Sequence, residues 1–294
     1  MTVNAAALGL FDGVHLGHRS VLARANALGI CHAVTFAAET IPQKQGHTVR
    51  YLYGTAQKTN LLKKCGAASV LAPDFSELCR MDGFSFCREI LQGQLHADVV
   101  VCGADYRFGN GASCSADDLR HFGEMLGFTV EIVPQICDET GTAISSSRIR
   151  GLLEAGNITA ANRLLGDDYC IESSVVTGRQ LGRTMGFPTA NQAMKNGQCV
   201  PKFGVYASFA DLHGAVYPSI TNIGLRPTVE RSGDVEPVAE THLLGFSGEL
   251  TGVPLRVSLC AFLRAEHRFD SLAALTAQIR KDTAQRKALL SYEI

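Results

Sequence analysis

His15 and His18 stand three residues apart in the stretch from Gly9 to Leu22, which also holds Phe11, Asp12, Gly13 and Gly17. An apolar run from Ala5 to Phe11 precedes them and a helical pattern follows, so both imidazoles fall where a strand hands over to a helix. The free N–H groups of a helix's first turn and the positive end of its dipole favour an anion there. Residues three apart share a helix face, so one ligand can meet both rings. The chemistry that suits two imidazoles of ordinary pKa, about 6.5, is transfer at a nucleotide α-phosphate. An attacking phosphate is already ionised and needs no base, but the five-coordinate phosphorus and the departing pyrophosphate need hydrogen-bond donors. Two other roles fit the same pair. They could be zinc ligands, although no Cys or carboxylate cluster lies close in sequence to complete a site, or plain capping and core histidines.

Four further stretches carry polar chemistry. Gly103 to Gly109 is a Gly-bounded loop around Asp105, which taken alone reads as an ordinary turn with a solvated Asp. Ser145, Ser146, Ser147 and Arg148 open a helix; serines there are common caps, yet Ser146, Ser147, the helix N–H groups and the Arg148 guanidinium can also hold a pyrophosphate. Gly178, Gly182 and Gly186, spaced by four, let backbone approach a polyphosphate closely, and Phe187, Pro188, Thr189, Ala190 and Asn191 follow directly. Asn222 to Thr228, and Glu240 with Thr241 and His242, complete the set.

These stretches together resemble the bifunctional riboflavin kinase/FAD synthetases of bacteria over nearly the whole chain. Gly9 to His18 is similar to the His-x-Gly-His motif of nucleotidyltransferases, with Leu10 where an Asn is usual. Gly103 to Gly109 is similar to the family's Gly-x-Asp-Phe-x-Phe-Gly loop, and Ile144 to Arg150 to its Ser-rich Ile-Arg motif. The resemblance implies Mg²⁺, with ATP as co-substrate, and riboflavin, FMN, FAD, ADP and pyrophosphate as the molecules handled. It puts Asp105 at the nucleotide and flavin-phosphate site, the magnesium on Thr189 and Asn191, whose hard oxygens suit that ion, and the flavin near Asn222, Arg226 and Thr228. Phosphorylating a primary alcohol calls for a positioned base, and Glu240 is the candidate, although a strand Glu is otherwise usually a solvated residue. The chain departs from the family pattern at Ala37 to Thr40, where a Pro-His-Pro-like element is usual, and at Ala112 to Ser115, where a basic residue and Gly-Asp are usual.

The elements that must position these residues change character along the chain. Up to Gly166, strands expected at Ala5–Phe11, Ile30–Phe36, Ser69–Ala72, Asp98–Cys102 and Thr129–Val133 alternate with helical patterns, which points to a parallel sheet with its ligand at the strand ends. Gly29 reads as the first helix's C-cap. From Asp167, short β-rich runs separated by Gly and Pro suggest a small antiparallel barrel, and Ser271 to Leu290 a closing helix. The expected architecture is therefore an α/β nucleotidyltransferase domain of Rossmann-like, His-x-Gly-His type over 1–166, which would adenylylate FMN. A small antiparallel β-barrel riboflavin kinase domain with a C-terminal helix would occupy 167–294.

At 294 residues with a formal charge of -1, the chain is long enough to bury two cores and no basic excess points to nucleic acid. Ten scattered cysteines without a Cys-x-x-Cys pair read as reduced thiols. No run approaches the roughly 18 apolar residues of a spanning helix, so a cytoplasmic protein that does not enter membranes is expected. Two other functions remain open to the sequence: a riboflavin kinase whose N-terminal half has decayed, since both departures fall there, and a flavin-binding protein without turnover.

Overall fold

A computed structural model describes residues 2–42, 50–178, 187–226 and 236–290. They form two compact units, Met1–Ile149 and Arg150–Ile294.

The first unit runs β1 (Asn4–Leu8), α1 (Leu16–Leu28), β2 (Ile30–Val34), α2 (Thr55–Lys64), β3 (Ser69–Leu71), α3 (Phe75–Leu78) and α4 (Gly83–Ser85, continued in π-helical turns over Phe86–Gln94). It continues with β4 (Val99–Gly103), the small antiparallel pair β5 (Arg107–Phe108) and β6 (Cys114–Ser115), α5 (Ala116–Leu126), β7 (Thr129–Val133) and the start of α6 (Ser146–Ala155), which crosses the division. Five strands make one parallel sheet in the order β3-β2-β1-β4-β7. Buried on both faces, the central strand is continuously apolar, as such strands must be. Ala5 and Ala7 enter one core with Leu22 and Ala25 of α1 and Leu62 of α2, while Ala6 and Leu8 enter the other with Phe86, Leu91 and Leu119. Chain order reverses between β1 and β4. The carboxyl ends of these two strands therefore flank the crevice where open α/β sheets bind ligands.

Two details differ from the sequence expectation. The first strand ends at Leu8 rather than Phe11, because Phe11 takes a left-handed φ of 49° and leaves the sheet. Gly29 does end α1, but in extended conformation with its N–H bonded to the Ala25 carbonyl. A Cβ there would sit 2.2 Å from the Val3 carbonyl oxygen, so close approach rather than a left-handed turn requires the glycine.

The second unit holds α7 (Ile158–Leu165), β8 (Tyr169–Ser174), β9 (Ala190–Ala193), β10 (Gly204–Leu212), β11 (Ala215–Arg226), β12 (Glu236–Leu243), β13 (Pro254–Arg264) and α8 (Leu272–Leu290). The strand order is β8-β13-β10-β11-β12-β9, every neighbour antiparallel. Val176, just beyond β8, donates its N–H to the Asn191 carbonyl at 2.7 Å and so joins the two outermost strands into a barrel. Inside, Ser208, Thr221 and Thr241 link hydroxyls at 2.8 and 3.0 Å, which satisfies polar groups that burial would otherwise leave costly. Sequence texture changes at Asp167, but packing divides earlier. α7 lies against β13, and Asn162 donates to Asp168 and to the Leu259 carbonyl at 2.6 and 2.8 Å while accepting the Tyr169 N–H.

Candidate active sites

At the β1 end of the crevice His15 is the N-cap of α1, and its Nδ1 accepts the His18 N–H at 3.4 Å. The two rings stack with centroids 3.6 Å apart and 17° between planes, and Phe11 meets His18 edge-on at 5.3 Å. Burial pushes the His15 pKa down to about 4, partly opposed by the Asp105 carboxylate from the β4 end. Burial also takes His18 well below its usual value, with His15 and Lys58 adding to the effect. Both imidazoles are thus neutral near pH 7. His18 Nδ1 is buried and has no hydrogen-bond partner among the described residues.

The loop that sets this geometry is strained. Phe11 and Val14 hold φ of 49° and 44°, conformations that cost a bulky residue on the order of 1–2 kcal/mol each. They persist because neighbours fix them: Val14 N–H bonds to the Phe11 carbonyl, and Arg19 Nε donates to the Val14 carbonyl at 3.0 Å. Gly9 and Gly17 give room, since a Cβ on either would lie 3.1 Å from the Phe11 ring or 3.3 Å from the His15 ring. Asp12 accepts the Leu52 N–H at 2.7 Å, and its carbonyl accepts the Ser146 hydroxyl at 2.8 Å. The third expected motif is thereby brought against the first.

Within that motif Ser145, not Ser146, caps α6, its hydroxyl accepting the Arg148 N–H at 3.3 Å. Ser147 follows in the first turn. Arg148 forms an ion pair with Asp138 and donates to the Thr142 and Ala143 carbonyls at 3.2 and 3.3 Å. The Thr140 hydroxyl and then this guanidinium hold the Asp138 carboxyl well below the usual carboxylate range. Arg148 is here committed to its own loop, so its fork would have to exchange partners to grip a pyrophosphate. Asp105 is exposed in the turn after β4, with the Tyr106 N–H bonded back to Gly103.

On the outside of the barrel, antiparallel register sets Asn191, Glu240 and Asn222 side by side on β9, β12 and β11. Thr241, one residue on, points inward, and the strand period of two turns Glu240 out to solvent. Asn191 is only 6% exposed, its Nδ2 directed at the Thr189 carbonyl at 3.4 Å. Gly178 presses on that amide. His242 Nδ1 meets the Pro188 carbonyl at 2.9 Å and its ring packs on Phe187, fastening the segment that carries Thr189. Asn222 donates to Glu266 at 3.1 Å. Gly182, Gly186 and Thr228 lie outside the described residues, as does the Arg226 side chain.

Two family models divide the chain between them: FAD synthetase over residues 2–148 and riboflavin kinase over 165–290. A bifunctional riboflavin kinase/FMN adenylyltransferase of Pseudomonas fluorescens is 36% identical over 97% of this chain and 92% of its own length. One of Bacillus subtilis is 31% identical over 94% and 89%. The chain belongs to the bifunctional riboflavin kinase/FMN adenylyltransferase family. A crystal structure from Streptococcus pneumoniae, described as a macrolide-efflux protein, shares the fold at a TM-score of 0.84 and 28% identity, over 97% of this chain and 94% of that one. Among the described residues here, no helix is long and apolar enough to cross a membrane.

Both parts of a bifunctional riboflavin kinase/FMN adenylyltransferase are therefore present: a parallel-sheet FAD synthetase domain and an antiparallel barrel riboflavin kinase domain closed by a helix. The segments that depart from the family's motifs are built into the fold. Glu39 accepts the Thr55 N–H at 3.0 Å and so caps α2, while Ser115 and Asp118 form a reciprocal cap on α5. Ala112 sits at φ 57°, and its carbonyl accepts Arg107 Nε at 3.2 Å, which brings a cation of this loop beside the position where the family has its basic residue. Sequence reasoning missed Lys58. A lysine in a helical run normally reads as a solvated residue, and nothing local marks this one as 1% exposed.

Proposed function

We propose that the crevice between β1 and β4 transfers the adenylyl group of ATP to FMN, and that the outer barrel face at Asn191, Glu240 and Asn222 phosphorylates riboflavin. The observation that carries the first assignment is the stacked, neutral pair of buried His15 and half-buried His18 at a helix start on the sheet's switch point. Neutral imidazoles donate hydrogen bonds to the phosphorane and the leaving pyrophosphate without holding full charge in the resting enzyme. The first turn of α1 and the Ser146–Ser147 start of α6 add backbone donors, Gly9, Phe11 and Gly17 shape the approach, and Asp105, whose charge reaches His15, serves the flavin side. Arg148 engages pyrophosphate on leaving Asp138. The working division of labour is 1–166 for adenylylation and 167–294 for phosphorylation.

In the barrel, Glu240 takes the proton of riboflavin's primary alcohol as its oxygen attacks the γ-phosphorus of ATP and ADP departs. Gly178, Gly182 and Gly186 approach the polyphosphate, and Asn222, Arg226 and Thr228 serve the flavin. Thr189 and Asn191 fit Mg²⁺ by donor type, because with Asn191 Nδ2 turned to a carbonyl its Oδ1 is the atom left for a hard cation. When bound, that ion neutralises developing phosphate charge. Among the described residues no group of three or more His, Cys, Asp or Glu is placed to hold a metal ion. A cytoplasmic location suits these substrates.

The test is purified protein with riboflavin, ATP and Mg²⁺, its products separated by chromatography. FAD is the expected end product. FMN alone would overturn the first assignment, and neither product would overturn both.

A further inference from the structure

Lys58 is a buried cation that no motif accounts for. It lies in the first turn of α2, 1% exposed, and its Nζ donates to the Leu10 carbonyl at 3.1 Å, the Thr35 hydroxyl at 3.0 Å and the Phe36 carbonyl at 2.7 Å. Thr35 in turn donates its own proton to the Leu10 carbonyl at 2.7 Å. Three acceptors use all three protons of an ammonium, so none is left for a phosphate oxygen. The acceptors are the chain just past β1 and the chain just past β2, and Leu10 immediately precedes the strained Phe11–Val14 turn that aims the two histidines.

We propose that Lys58 is a positioning residue for adenylyl transfer, tying the ends of β1 and β2 together so that the Gly9–His18 loop holds its strained, ring-stacked form. This rests on the assignment of that loop to adenylyl transfer. An unpaired buried ammonium would be costly, and the structure supplies counter-charge from two sides. Burial pulls the Lys58 pKa down to about 8, while the Asp12 and Glu39 carboxylates hold it up; His18 on α1 feels its charge. Glu39 also caps α2, so the segment Ala37–Thr40, which departs from the family pattern, supports the lysine in this chain.

Steady-state kinetics of FAD formation from FMN and of FMN formation from riboflavin test this in the full chain. Lys58→Met is expected to lower kcat for FAD formation at least tenfold with a smaller change in the KM for ATP, and to leave FMN formation within twofold. The wild type is expected to lose FAD-forming activity above about pH 8 as the ammonium deprotonates. That alkaline fall should be absent from the residual rate of Lys58→Met, which a merely structural loss would not achieve. Should Lys58→Met fail to fold, Thr35→Val, which removes one hydroxyl at constant shape, is expected to lower kcat three- to tenfold. FAD formation within twofold of wild type in either folded variant overturns the proposal. His18→Ala separates the two levels: full activity there would overturn the assignment of the loop itself, whatever Lys58→Met does.

Discussion

Gly178→Ala places a methyl group where the structure has no room for one. Its Cβ would lie 2.3 Å from Asn191 Nδ2, 2.7 Å from Cγ and 3.0 Å from Oδ1, all inside the 3.4 Å at which ordinary contact begins. Gly178 is not in the left-handed region, so alanine suits the backbone and the added methyl meets the Asn191 amide. That amide cannot swing into solvent, being 6% exposed and held by the Thr189 carbonyl. It must retreat by about 1 Å, a displacement that at a reacting centre costs roughly 10²-fold in rate. Riboflavin phosphorylation should fall by that factor, partly recovered at high Mg²⁺, while FMN adenylylation is unchanged. The pathway through Asn191 is checked by a double-mutant cycle. Asn191→Ala removes the group that is struck, so adding Gly178→Ala to it should cost much less than Gly178→Ala costs alone. An unchanged kcat/KM in Gly178→Ala, or a full additional loss in the double variant, would refute the reasoning.

Glu240→Gln should cost riboflavin phosphorylation about 10²–10⁴-fold and spare adenylylation, as expected of a general base serving one site; equal loss of both activities would count against the division of labour. His15→Ala and His18→Ala should each depress FAD formation and leave FMN formation near normal, with no zinc lost, which metal analysis checks. Acid should destabilise the FAD synthetase domain in a defined window. The folded pKa of His15, about 4, lies below its unfolded value of 6.5, so the unfolded chain binds more protons between them. The contribution, about 3 kcal/mol, is complete above pH 6.5 and is lost as pH falls toward 4. Denaturant unfolding at pH 7 and pH 4.5 should show that loss in wild type and much less of it in a folded His15→Ala variant.

Local signals in the sequence went far here because both sites use compact motifs. The strand-to-helix handover at His15, the serine-opened helix at Ser146 and the alternation of strands and helices up to Gly166 are all statements about neighbours within a few residues, and they hold in the structure. So does the closing helix at Leu272–Leu290. β9 was not legible: Ala190, Asn191, Gln192 and Ala193 contain no β-branched or aromatic residue, and they form a strand because β12 and Val176 offer them partners on both sides.

Tertiary structure alone decided three matters. Register brought Asn191 on β9 into one row with Glu240 and Asn222 on the successive strands β12 and β11, two strands further along the chain. Packing committed the Arg148 guanidinium to Asp138 and to two carbonyls, where its place in the motif suggested a free fork. Burial made the His15–His18 pair neutral and turned Lys58 from an ordinary helix lysine into the bond between two strand ends. The physical reason is common to all three. Residue type and spacing fix what a side chain is able to do, whereas its charge state and partners depend on desolvation and on groups that only the folded chain brings within reach.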